Sequence, residues 1–293
     1  MRVTEGLLTD RYLVNYDKTS ERKLKISTQL ATNSSIQTLS DDVSGSLESI
    51  KLDSQIRKTK AYSKNALNAQ NFFDSSLKAL DQVTTEMQNI MTASTNAGNP
   101  VISDSYPTIA QSIKNSLSAI VQNVSAKSGD RYLFGGTNYT AEPVTVDAGG
   151  KAVVSALDHS GEVKVRLSGN IKEPMNIPGS EILGSGMFES INDVITSLEA
   201  GNAPTEAQKA ALTSAYQKIL DVQSLAGEKI NRLENIKTVL SNQTDNYSTM
   251  LAKVQEIDVA KLSLELQQQD YLLQISSKLL SNYALSNSAL NLI

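Results

Sequence analysis

Two long stretches of this chain keep a helical spacing of apolar residues with almost no helix breakers, and this most limits what it can fold into. No Pro precedes Pro100 and no Gly lies between Gly45 and Gly98; after Pro204 there is no further Pro, and Gly227 is the only Gly. In the first stretch Leu52, Ile56, Ala66, Phe73, Leu77, Leu80, Met87 and Met91 share one stripe, interrupted by Thr59, Ser63, Gln70 and Thr84. In the second, Ile219, Val222, Ala226, Leu233, Ile236, Leu240, Tyr247, Met250, Val254 and Ile257 do the same, with Lys229 and Gln243 as polar members. Spacing of this kind, sustained over several heptads, predicts helices wound on helices. Asn99-Pro100 breaks the first arm, and a third stripe (Tyr106, Ile109, Ile113, Leu117, Ile120, Val124) predicts a helix folding back on it. Asp104 or Ser105 serves as its N-cap, with Pro107 in the first turn. Pro204-Thr205-Glu206 opens the last arm in the same way.

Between the arms the pattern changes. Val144 and Val146 alternate up to Asp147-Ala148-Gly149-Gly150, and Ala152 and Val154 alternate after it. Asp158-His159-Ser160-Gly161 turns into Val163, Val165 and Leu167, and Ser168-Gly169-Asn170 ends that run. These are hairpin signals. The expected fold class is mainly α with a small β domain. N- and C-terminal arms form a long antiparallel coiled-coil stalk (41–129 and 187–255), and a β-rich head (130–186) is inserted between them. End segments span 1–40 and 256–293.

Composition narrows function. Aromatics are 5% and Trp is absent, which disfavours a thick globular core. With 27 Lys+Arg against 31 Asp+Glu there is no basic surplus for a phosphate backbone, so no nucleic-acid partner is expected. One His and no Cys exclude disulfides, Cys-based metal sites and Cys–His dyads. No catalytic, cofactor-binding or metal-ligating set is identified. Gly184-Ser185-Gly186 lacks the third glycine of a dinucleotide fingerprint, and the Ser-x-x-Lys matches at Ser20 and Ser75 have no companion motif. His159 reads as a solvated turn residue, and Asp41-Asp42 as a polar loop or helix cap. Asn-x-Ser/Thr patterns at Asn138 and Asn242 read as fortuitous. No run approaches a membrane span, and Glu5, Asp10 and Arg11 stand where a signal peptide would need apolar residues. Neither a membrane association nor a cleaved signal peptide is expected.

The ends carry the functional signal. Leu262, Leu266, Leu273, Leu280, Tyr283 and Leu290 form a stripe reaching the last residues. Val3, Leu7, Val14 and Leu24 share a looser phase with Asp10, Asp17 and Glu21. Apolar stripes running to chain ends fit segments that gain order on joining neighbours. Both sets are expected to be assembly interfaces, with 1–40 disordered in the free subunit.

Four pieces of sequence together resemble the bacterial flagellin superfamily, and within it the hook-associated proteins of the hook–filament junction. They are Met1-Arg2-Val3-Thr4, Ser40-Asp41-Asp42, the block Gly129-Asp130-Arg131-Tyr132-Leu133-Phe134-Gly135-Gly136-Thr137, and the tail from Glu256-Ile257-Asp258-Val259-Ala260 to Ile293. The third hook-associated protein is the nearest likeness. Thr38-Leu39 and Val43 stand where that family often has Arg-Pro and Pro. The resemblance implies a structural, non-enzymatic subunit that polymerises through its terminal helices. It implies type III export to the extracellular flagellum without a cleaved signal peptide. The implied partners are copies of itself, the first hook-associated protein, flagellin and an export chaperone. Flagellin itself and a non-flagellar coiled-coil adhesin are the alternatives. In the block, alternating Tyr132 and Phe134 fit a strand leaving the stalk, and Gly135-Gly136 permit a sharp turn into the head.

Overall fold

The computed structural model describes the backbone of residues 2–99 and 105–290, and side chains of 10–99 and 105–281. The helices are α1 (Arg2–Thr32), α2 (Val43–Asn96), α3 (Tyr106–Val124), α4 (Ser180–Leu183), α5 (Met187–Glu199), α6 (Glu206–Val254) and α7 (Val259–Leu290). Six short strands lie between α3 and α4: β1 (Lys127–Ser128), β2 (Arg131–Tyr132), β3 (Val144–Val146), β4 (Ala152–Val154), β5 (Lys164–Arg166) and β6 (Lys172–Pro174). The chain divides into a unit of Met1–Arg57 with Thr244–Ile293 and a unit of Lys58–Gln243. Helices α2 and α6 contribute to both.

The second unit holds the main core. Phe73, Leu80, Met87 and Ile90 of α2, Ile113, Leu117 and Ile120 of α3, Ile191 and Ile195 of α5, and Ile219 of α6 are buried in one cluster. Polar bonds fix α2 and α6 antiparallel: Gln88 Nε2 donates to Tyr216 Oη (2.6 Å), Gln223 Nε2 to Asp81 Oδ1 (2.9 Å), and Lys237 Nζ to Gln70 Oε1 (3.1 Å). Buried Ser76 and Thr84, the latter a polar interruption of the α2 stripe, satisfy their hydroxyls by bonding back one turn. Ser76 Oγ donates to Phe72 O and Thr84 Oγ1 to Leu80 O. Helix starts follow the sequence signals in part. Thr205 and Gln208 form a reciprocal capping box, with Thr205 N–H on Gln208 Oε1 (2.9 Å) and Gln208 N–H on Thr205 Oγ1 (3.3 Å). Pro107 lies in the first turn of α3, but Ser105 at the N-cap makes no side-chain bond, and Asp104 lies outside the described residues.

The middle region differs from a single sheet. Its strands form three separate antiparallel pairs, β1–β2, β3–β4 and β5–β6. Isolated two-stranded ladders are marginal in water, and two asparagines supply the missing edges. Asn192 on α5 accepts from Ala152 N (3.0 Å) and donates to Ala152 O (2.9 Å), standing in for a neighbouring strand along β4. Buried Asn176 accepts from Val163 N (2.7 Å) and donates to Gly161 O (3.1 Å). The β3–β4 turn is held further by Glu199, paired with Lys114 (2.5 Å) and Lys151 (3.4 Å). Asn192→Ala leaves both Ala152 groups without this partner at a cost of about 1–3 kcal/mol. The expected result is faster amide exchange confined to 144–154, read by hydrogen–deuterium exchange with mass spectrometry; unchanged protection there would contradict the role.

Candidate assembly surface

Helices α1 and α7 pair antiparallel within the first unit. Arg22 meets Glu265 (2.6 Å) and Lys23 meets Asp270 (2.6 Å), while the turns at their adjoining ends are joined by Ser35 N–H on Gln255 O (2.9 Å). The inner row of α7 steps by four and three residues through Leu262, Leu266, Gln269, Leu273, Ser276 and Leu280, all half-buried. The inner row of α1 is Tyr12, Thr19, Lys23, Ile26 and Leu30, of which only Ile26 is fully buried. This is a coiled-coil seam of modest apolar content, braced by partly exposed ion pairs that each contribute less than about 1 kcal/mol.

The candidate interface residues separate accordingly. Leu262, Leu266, Leu273 and Leu280 lie on the α1–α7 seam. Val14 and Leu24 lie on the opposite side of α1, with 50% and 69% of their surface exposed. The side chains of Val3, Leu7, Tyr283 and Leu290 lie outside the described residues. A further exposed row, Leu39, Val43, Leu47 and Ile50, runs from the α1–α2 turn into α2. Its four-four-three spacing was visible in the sequence but is masked there by the Ser- and Asp-rich turn it crosses.

That turn is a built corner. Asp41 Oδ2 accepts from the backbone N–H of Gln37 (3.0 Å) and Thr38 (2.8 Å), and its other oxygen pairs with Lys25 of α1. Asp42 Oδ1 caps α2 by accepting from Gly45 N (3.0 Å). The Lys25 bond and the two amides hold the Asp41 carboxyl well below the usual carboxylate range. A depressed folded-state pKa gives stability that is full above the unfolded value and is lost as pH falls through the folded one. The melting-temperature difference between wild type and Asp41→Asn is therefore largest near neutral pH and closes as pH drops below about 4. A difference that stays constant from neutral pH to strong acid would contradict this.

The Tyr132–Gly136 block is more enclosed than a strand-and-turn reading implies. The strand stops at Tyr132, Leu133 N–H bonds Ala126 O (2.9 Å), and Phe134 is completely buried. Tyr132 lies under Lys127 Nζ (4.3 Å to the ring centroid). Gly136 has φ of +62°, and a Cβ there would overlap the carbonyl of His159. His159 itself is not solvated: it is 3% exposed, its Nδ1 lies 2.9 Å from Gly135 O, and its carbonyl accepts from Gly179 N (2.8 Å). The Asp158–Gly161 turn is drawn inward because Gly136 and Gly179 let three backbone segments approach without side chains between them. Among the described residues no group of three His, Cys, Asp or Glu side chains is placed to hold a metal, and no helix is long and apolar enough to cross a membrane.

No protein-family model matches the chain. It is 23% identical over 296 residues to flagellin of Bacillus subtilis (strain 168), covering 96% of this chain and 95% of that protein. Among solved structures it superposes on a Vibrio parahaemolyticus protein assigned as a flagellar hook-associated protein. That match has a TM-score of 0.66 and 18% identity, and covers 74% of this chain and all of the other. Hook-associated protein 3 of Legionella pneumophila matches with a TM-score of 0.59 at 14% identity, over 69% of this chain and 98% of the other. The chain has the fold of the solved flagellar hook-associated proteins. FlgL of Bacillus cereus shares it too, at TM-score 0.55 and 18% identity, over 70% of this chain and 100% of that one. The shared fold extends over 69–74% of this chain.

Proposed function

We propose that this chain is a structural subunit of the bacterial flagellum that joins the hook to the flagellin filament. The observation that carries this reading is the match to essentially the whole length of solved hook-associated proteins, one of them the flagellar junction protein FlgL of Legionella pneumophila. The chemistry on the page supports it. Exposed apolar residues on helices, Val14 and Leu24 of α1 and Leu39, Val43, Leu47 and Ile50 at the start of α2, are available to neighbouring subunits. In this role segments 1–40 and 256–293 make the contacts between subunits, 41–129 with 187–255 form the supporting helices, and 130–186 is the outer domain. The Tyr132, Phe134, Gly135 and Gly136 block fixes where the hairpins depart from α3. The partners are further copies of the chain, the first hook-associated protein on the hook side and flagellin on the filament side, reached after export through the flagellar type III apparatus with an export chaperone. The subunit is not an enzyme.

The test is immunogold labelling of intact flagella with antibody raised against the β3–β4 hairpin. A single band of gold at the distal end of the hook supports the reading. Continuous label along the filament would make the protein a flagellin, and label absent from flagella would remove the role altogether.

A further inference from the structure

Between Asp53 and Asp74 the helix α2 carries no acid, and exposed Lys58, Lys60 and Lys64 fall within that stretch. The β5–β6 hairpin brings further cations to the same part of the Lys58–Gln243 unit. Asn65 Nδ2 donates to Arg166 O (2.9 Å), which seats β5 against α2 beside Lys64. Lys58 stands two turns before Asn65 on the same helix face, about 10 Å along the axis. Lys60 and Lys64, four apart, line the adjoining flank. Register sorts the hairpin's side chains. Val165 and Glu173 are opposite each other on one face, where Val165 packs on the core and Glu173 pairs with Arg232 of α6 (2.5 Å). Lys164, Arg166 and Lys172 share the other face, and all three are exposed. Arg166 and Lys172 are directly opposed. Like charges so placed destabilise a hairpin, and this one has only three residues in each strand. Lys164 pairs with Glu162 (3.0 Å). Among the described residues Lys58, Lys60, Lys64, Arg166 and Lys172 form no salt bridge. A chain of net charge -4 thus gathers five unneutralised cations where the hairpin meets α2, and sets two of them against each other to do so.

We propose that Arg166 and Lys172 of the hairpin, with Lys64, Lys60 and Lys58 of α2, form a binding surface for a linear acidic polysaccharide. Its sulfates or carboxylates would lie between Arg166 and Lys172, relieving their repulsion, and continue along the α2 lysines. A second copy of this chain fits the surface less well. Its acids are scattered, Asp41-Asp42 is the one adjacent acidic pair, and both members are engaged at the α1–α2 corner. A nucleic acid also fits less well. Its backbone carries one charge per about 1.7 Å of duplex, which an acidic chain repels overall, whereas a polysaccharide spaces its charges more widely. The contact is exposed, so it is screened by salt.

The test is isothermal titration of the purified full-length chain at low salt with three probes: heparin, polygalacturonate and a short duplex DNA. Binding of heparin or polygalacturonate, weakened by added salt, is expected, and which of the two binds tells sulfate from carboxylate recognition. Binding of neither overturns the proposal, and so does DNA bound as tightly as the better polysaccharide. Arg166→Glu/Lys172→Glu should weaken polysaccharide binding about tenfold or more. Lys78→Glu/Lys253→Glu makes the same change in net charge at exposed positions elsewhere and should leave binding within about twofold. Equal losses in the two variants would show a response to overall charge and overturn the surface. Lys172→Glu alone separates binding from folding. It places a carboxylate opposite Arg166, so the melting temperature should hold or rise while polysaccharide affinity falls. Unchanged affinity in that folded variant would also contradict the proposal. All readouts use purified chain, so the surface stands or falls independently of where the protein sits on the flagellum.

Discussion

Gly179→Ala is expected to lower the melting temperature of the Lys58–Gln243 unit by roughly 6–12 °C, corresponding to a loss of about 3 kcal/mol. The added methyl would overlap the carbonyl oxygen of Phe134 and lie 2.9 Å from Cβ of His159. The first of these is backbone and cannot rotate away. Phe134 is completely buried, and Gly179 N–H is bonded to His159 O, so relief requires moving three segments of chain at once. A loss of that size is a large fraction of the 5–15 kcal/mol that holds an ordinary domain together. Gly169→Ala is the control: a Cβ there meets nothing within 4 Å, and its melting temperature should match wild type within about a degree. Equal melting of the two variants would show that the close approach of Gly136, His159 and Gly179 is not what fixes the hairpins.

The second large effect is on assembly. Leu273→Asp combined with Leu280→Asp should abolish incorporation into flagella while the protein remains soluble and the Lys58–Gln243 unit melts as in wild type. Both leucines are half-buried on the α1–α7 seam. Half-burying a leucine contributes about 1 kcal/mol, and a carboxylate in its place adds a desolvation penalty, so the pair loses most of a seam in which Ile26 is the only fully buried apolar residue of α1 among the described residues. Helical circular dichroism falls by the share of two unpaired terminal helices. Normal incorporation of the double variant would contradict a role for this seam in building the flagellum.

Much of this architecture was legible in the residues, for identifiable reasons. Helix and hairpin positions follow from local chemistry: the 3-4 spacing of α2, α3 and α6, the Thr205–Gln208 cap, and the Asp147–Gly150 turn between β3 and β4. The likeness to the flagellin superfamily, read from the Gly-Asp-Arg-Tyr-Leu-Phe-Gly-Gly block and the two ends, agrees with the solved structures this chain superposes on. What escaped was non-local. His159 is buried because Gly136 and Gly179, from either side in sequence, close on it, and no pattern around residue 159 announces that. The strand-like roles of Asn176 and Asn192 depend on backbone brought from 15 and 40 residues away. The Asp41 corner needed Lys25 from the preceding helix. On α1 the apolar phase of Val14 and Leu24 pointed outward, as the Asp10, Asp17 and Glu21 sharing it already signalled, whereas the true inner row is polar enough to escape a search for hydrophobic stripes.

The measurement that bears most directly on the junction role is the number of copies per flagellum, obtained by quantitative mass spectrometry of purified flagella against the hook subunit. A junction protein is present in a small fixed number, independent of filament length and far below the bulk filament subunit. A copy number that grows with filament length and dominates the preparation would make this chain the filament subunit and contradict the account.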